Sequence, residues 1–140
     1  MRAQASMELL VILAALFAFF AAFLPVIREA SEFAEFSVAA KMNEAAFNHL
    51  TGLAREVFVL GRGNCFSRHV RLAGNGSLWF NDSTSVLWMN FSARRHSMNF
   101  SARLGFGLAL NSTNFRAGNA ELTVENRGTV VEAGVIQERA

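Results

Sequence analysis

The longest uncharged apolar run of the 140-residue chain occupies positions 9–27. As a helix rising about 1.5 Å per residue it would be roughly 28 Å long, close to the hydrocarbon thickness of a bilayer, so it predicts one membrane-crossing segment. Beyond it the pattern turns amphipathic. Phe33, Phe36, Ala40, Phe47, Leu50, Ala54, Val57 and Phe58 recur at helical steps, while Glu29, Glu32, Glu35, Lys41, Glu44 and Arg55 mostly lie off that stripe. Gly61-Arg62-Gly63 lacks a third spaced glycine and reads as a helix stop, not a phosphate cradle.

From Asn64 onward, short alternating runs separated by Asn, Gly, Asp and Ser predict antiparallel strands at 65–72, 77–80, 85–93, 98–110, 120–125 and 129–136. Gly74-Asn75-Gly76 and Asn126-Arg127-Gly128 read as turns. The expected fold class is α+β: a long N-terminal helix, membrane-spanning over 4–27 and amphipathic over 28–62, packed on a small antiparallel sheet formed by 63–140. The chain's own C-terminal domain is expected to cover the helix stripe.

Residues 89–94 and 98–103 share the hexapeptide Met-Asn-Phe-Ser-Ala-Arg, which fits two paired strands. Alternation puts Leu87, Met89, Phe91 and Ala93 on one face, and Met98, Phe100, Ala102, Leu104 and Phe106 on one face of the next strand, both toward the core. Asn90 and Asn99 then point outward. Each opens an Asn-x-Ser/Thr sequon, and Asn75, Asn81 and Asn111 open three more. Chance would supply about one or two from this composition, so the excess suggests glycosylation of an exposed β surface; an unmodified Asn- and Ser-rich surface is the alternative.

Glu8 stands one residue ahead of the apolar run, at a depth where an unpaired charge costs several kcal/mol in lipid. Its partner could be Arg2, or a free amine if the chain is cut just before Gln4. An ordinary secretory signal has a longer basic leader and small residues at −3 and −1 of its cut. Here Arg2 is the only basic residue ahead of the run, and a cut after Ala30 or Ala34 would put Arg28 or Glu32 at −3. The apolar segment is therefore expected to remain in the mature protein, and a plain single-pass anchor also accounts for its length.

The segment Arg2-Ala3-Gln4-Ala5-Ser6-Met7-Glu8-Leu9 resembles the class III signal of archaeal type IV pilin-like proteins, Gln-x-Ser-x-Glu ahead of a hydrophobic helix. The resemblance implies a pilin-like fold and cleavage by a prepilin peptidase between Ala3 and Gln4, with residues 1–3 a leader. Ala3 stands where the family usually has Gly, and Pro25 falls where many pilins also have a proline. The resemblance further implies assembly with identical or related pilin subunits, a pilus assembly platform and its ATPase, with membrane lipid as the earlier surroundings. Glu8 would pair with the Gln4 amine of a neighbouring subunit, since a charge buried among apolar groups is tolerated only when paired. Small Ala residues would let the helices approach, and Pro25 would kink the outer end of the segment. The expected location is a single-pass membrane protein, N-terminus cytoplasmic and C-terminal domain outside, and then an extracellular filament.

Charge and candidate chemistry change this little. Residues 1–63 carry five basic against six acidic groups and residues 64–140 eight against five, a modest basic bias. Arg94, Arg95 and His96 read as a solvated hairpin turn, and no nucleic-acid partner is expected. The single Cys65 is expected to be a buried small apolar group, without the C-terminal disulfide loop that bacterial pilins often close. His49, His69 and His96 share no metal-ligand spacing, and no catalytic residue, metal or cofactor is expected. The leading expectation is a structural pilus subunit used in adhesion, motility or cell contact. The alternative is a minor pilin or a permanently anchored surface ligand-binding module.

Overall fold

The structure, a computed structural model, describes residues 2–137, with side chains from residue 6 onward. The order is one helix, α1 (Arg2–Leu60), then eight strands: β1 (Cys65–Leu72), β2 (Asn75–Asn81), β3 (Val86–Ala93), β4 (His96–Arg103), β5 (Leu108–Leu110), β6 (Asn114–Phe115), β7 (Gly118–Asn126) and β8 (Val131–Gln137). The expected α+β layout of a long helix on antiparallel-rich strands is what the chain adopts. The chain divides into two units, Met1–Glu35 and Phe36–Ala140.

In the first unit the helix continues through Pro25, where a kink was expected; the missing N–H removes one bond to Ala21 but does not end the helix. Phe19 stacks on Phe23 one turn away, at 4.5 Å between ring centroids. Arg28 pairs with Glu32 at 3.2 Å, an exposed contact worth little.

In the second unit the strands form two four-stranded sheets, not the single sheet expected, in the orders β1-β7-β8-β5 and β4-β3-β2-β6. Period-two alternation fixes which side chains turn inward but not which sheet a strand joins. Chain order is broken because the strands cross between sheets: Ala73 and Gly74 carry β1 into β2, and residues 111–113 carry β5 into β6. β5 pairs with β8 in parallel, and the other pairings are antiparallel.

Helix residues Ala40, Ala46, Phe47, Leu50, Ala54 and Val57 share one buried cluster with inward residues of both sheets, among them Leu122, Val124, Leu87 and Phe91. The expected stripe holds from Phe36, which packs on Phe91, to Val57, and fails at Phe33 and Phe58. Phe33 belongs to the first unit and is exposed; Phe58, in the last helical turn, is 49% exposed and stacks on Phe106 instead. The expected strand 98–110 is two strands, because Gly105 takes a left-handed φ of 83° and breaks the run. Edge position leaves Met98 38% exposed, whereas Phe100 packs on Phe47 and Phe91. The expected turn at 74–76 is displaced, with Asn75 and Gly76 inside β2. A Cβ on Gly76 would run into the Phe115 ring and the Asn90 carbonyl, so the close approach of β6 explains this glycine.

Two buried asparagines join α1 to the sheets. Asn43, fully buried on the helix, donates from Nδ2 to the Ala73 carbonyl, and its Oδ1 accepts from the Ala73 N–H at 2.9 Å. Asn126 donates to the Val57 carbonyl at 3.2 Å, satisfying a helix-end acceptor, while its Oδ1 accepts from Gly128 N–H. Gly61, at φ 85°, and Asn64, bonding the Leu60 and Gly61 carbonyls, complete the expected stop. Replacing Asn43 by Ala leaves the part-buried Ala73 amide and carbonyl without these partners and is expected to cost about 1–2 kcal/mol, read as a lower denaturation midpoint of the detergent-solubilised chain. An unchanged midpoint would show that this bidentate contact does not hold the β1–β2 crossover.

Candidate functional site

Two regions bear on function, one in each unit. The helical segment from Ser6 to Leu60 contains an 18-residue window of mean hydropathy 2.8, none of it buried. By length and composition it can cross a membrane or act as a signal. Leu9, Leu10, Ile12, Phe17, Phe20, Phe23 and Ile27 all project outward. In water each such side chain forgoes about 1.5–3 kcal/mol relative to burial, so this surface needs lipid or protein around it. Glu8, exposed, lies on the helix beside Met7, Val11 and Ile12. Ala3 and Gln4 fall within the backbone of α1, but their side chains, like that of Arg2, lie outside the described residues.

The second region is the outer face of the sheet β4-β3-β2-β6. Because Leu78, Leu87, Met89 and Phe91 turn inward, alternation places Asn75, Ser77, Trp79 and Asn81 of β2 on the outer face with Val86, Trp88, Asn90 and Ser92 of β3. The register sets Trp79 opposite Trp88, Ser77 opposite Asn90, and Asn90 opposite Asn99. Four of the five sequon asparagines therefore share one face; Asn111 follows β5 and donates from Nδ2 to Glu132 at 3.4 Å. Asn75, Asn81, Asn99 and Asn111 are exposed, and Asn90 is half-buried. At Asn81 the side-chain Oδ1 accepts from the Ser83 and Thr84 N–H groups at 3.0 and 3.3 Å, an Asx turn that opens the β2–β3 connection.

At the centre of that face the rings of Trp79 and Trp88 lie 6.1 Å apart and 5° from parallel, with Trp79 41% exposed. Sequence reasoning passed over this pair, although the alternation that turned Asn90 outward turns Trp88 outward too.

The other candidate residues are dispersed. His49 contacts Arg68 at 3.2 Å, His69 lies on β1, and the His96 ring is 4.9 Å from Phe36. Among the described residues no group of three or more His, Cys, Asp or Glu is placed to hold a metal. Arg94 and Arg95 form the two-residue connection between β3 and β4, with Arg94 at a left-handed φ of 56°. Cys65 is exposed, against the expected burial, because it opens β1 at the edge of its sheet. No protein-family model, curated protein or solved structure matches the chain.

Because Cys65 is exposed, a thiol reagent is expected to modify the folded chain at nearly the rate of the unfolded one, scored as the mass increment over time. Protection by orders of magnitude in the folded chain would restore the buried assignment.

Proposed function

We propose that the chain is the structural subunit of an extracellular type IV pilus-like filament, cut by a prepilin peptidase between Ala3 and Gln4 and assembled through its N-terminal helix. The observation that carries this reading is the contrast within α1: its apolar first part is unburied, whereas its later part is core to a folded α+β unit. One continuous helix thus joins a surface needing cover to a domain that satisfies itself. The signal-like segment around Gln4 and Glu8, the Ala- and Phe-rich run and Pro25 support the same reading.

In this account the helix first rests in the membrane, N-terminus cytoplasmic, with the strand-rich unit outside. Cleavage frees the Gln4 amine. On assembly the helix exchanges lipid for neighbouring helices, and Glu8 of one subunit pairs with the amine of another, fixing register. The assembly platform and ATPase drive the exchange, and the work of the subunit is structural: surface adhesion, motility or cell contact, without catalysis. The sequons lie in the unit that this topology exposes to the outside, which supports a glycoprotein.

Replacing Glu8 by Ala tests the pairing. Membrane insertion is expected to persist, because the apolar run is untouched. The quantity of subunit sheared from the cell surface is expected to fall at least about tenfold, since breaking one partner of a buried ion pair costs about 3–5 kcal/mol. Undiminished sheared subunit would remove the ion pair from the account.

A further inference from the structure

Why two tryptophans stand on an outer sheet face is not explained by the core, which Leu78, Leu87, Met89 and Phe91 fill from the other side. Their positions follow a rule. Trp79 precedes the sequon Asn81 by two residues and Trp88 precedes the sequon Asn90 by two, so in extended strands each ring shares a face with its asparagine, roughly 6.5 Å along the strand. The other three sequons have Ala73, Ser97 and Ala109 at the corresponding place. We propose that Trp79 and Trp88 form a stacking seat for N-linked sugar, with Asn81 the principal carrier and Asn90 the second. The proposal rests on the glycoprotein part of the preceding reading and specifies its sites.

The chemistry of the face fits a saccharide. A pyranose presents a face of C–H groups to which the electron-rich face of an indole is complementary, and burying that face removes apolar area from water. Around the rings, Ser77, Ser101 and Asn99 supply hydroxyl and amide groups that can bond sugar hydroxyls. Asn81 is the better carrier of the two. It is exposed at the end of β2, its Oδ1 is held by two backbone N–H groups, and its Nδ2 donates no hydrogen bond among the described residues. Half-buried Asn90 stands directly opposite Asn99, so a sugar on one crowds a sugar on the other.

Attachment is a group transfer from a lipid-phosphate-linked oligosaccharide. The Asn81 Nδ2–C1 bond forms as the sugar C1–O bond to the lipid phosphate breaks; the phosphate leaves with the electron pair, and Nδ2 gives up one proton to base. The attached first residue then reaches back over Trp79, whose ring is held by stacking on Trp88.

The chain has two tryptophans and no tyrosine, so its indole fluorescence reports on this face alone. The test combines mass-spectrometric site mapping of protein from the producing cells with iodide quenching of the intact chain in detergent, compared with N81Q and with S83A, which abolishes the sequon but keeps Asn81. Sugar on Asn81, weaker quenching in the wild type and loss of that protection in both variants is the expected result. Sugar on Asn81 with equal quenching in all three would overturn the seat while leaving the glycoprotein reading intact. Sugar confined to Asn75, Asn99 or Asn111 would likewise overturn the proposal and keep that reading, whereas sugar at none of the five sites would remove both. Protection that appears only in assembled filaments, independently of sugar, would assign the tryptophans to contact with a second copy and overturn the proposal.

Discussion

The helix α1 carries two kinds of apolar surface, and what covers each determines the rest of the molecule. Over residues 40–57 the cover is internal. Ala40, Ala46, Phe47, Leu50, Ala54 and Val57 are matched by inward residues of two sheets, and the eight strands are held together by that shared cluster. Over residues 9–27 the side chains are apolar and outward-facing, a surface long enough to cross a membrane. In the proposed reading, one helix meeting both demands lets the subunit be stored in a membrane and transferred to an assembly without refolding its strand-rich unit.

Polar contacts refine this arrangement. Both Asn43 and Asn126 are buried; Asn43 on α1 bonds the backbone of Ala73, and Asn126 on β7 donates to the Val57 carbonyl of α1, which fixes the helix against the β1–β2 crossover at one point and the end of β7 at another. A purely apolar interface would tolerate sliding by a turn; a bidentate side chain on the Ala73 amide and carbonyl does not. The outer sheet face follows a different logic, since its Asn, Ser and Trp residues lie outside the core cluster and Asn75 and Asn81 accept from backbone N–H groups at the sheet margin.

Much of this was legible in the chain, for reasons that can be traced to particular residues. β1 has the bounds that alternation predicted, and the stripe from Ala40 to Val57 follows from helical periodicity alone. Periodicity could not reveal that the strands divide between two sheets, because inward and outward have the same signature in both. Gly76 carries a turn signal in the sequence, yet its role is to admit Phe115, 39 residues (115 − 76) further along the chain. Asn43 escaped notice because a polar residue on an apolar face is visible as functional only when its partner, Ala73, is placed. The Trp79–Trp88 pair was within reach: the same alternation that turned the sequons outward turned both rings outward, and their spacing from Asn81 and Asn90 is written in the chain.

The central claim is that residues 4–27 form an assembly helix released by cleavage, not a permanent anchor. Mass spectrometry of the N-terminal peptide from protein sheared off the cell surface tests it most directly. The account predicts a terminus at Gln4 with a free amine, able to receive the charge of Glu8 from a neighbouring subunit. An intact Met1, or absence of the protein from the sheared fraction, would contradict it and leave a permanently anchored surface domain.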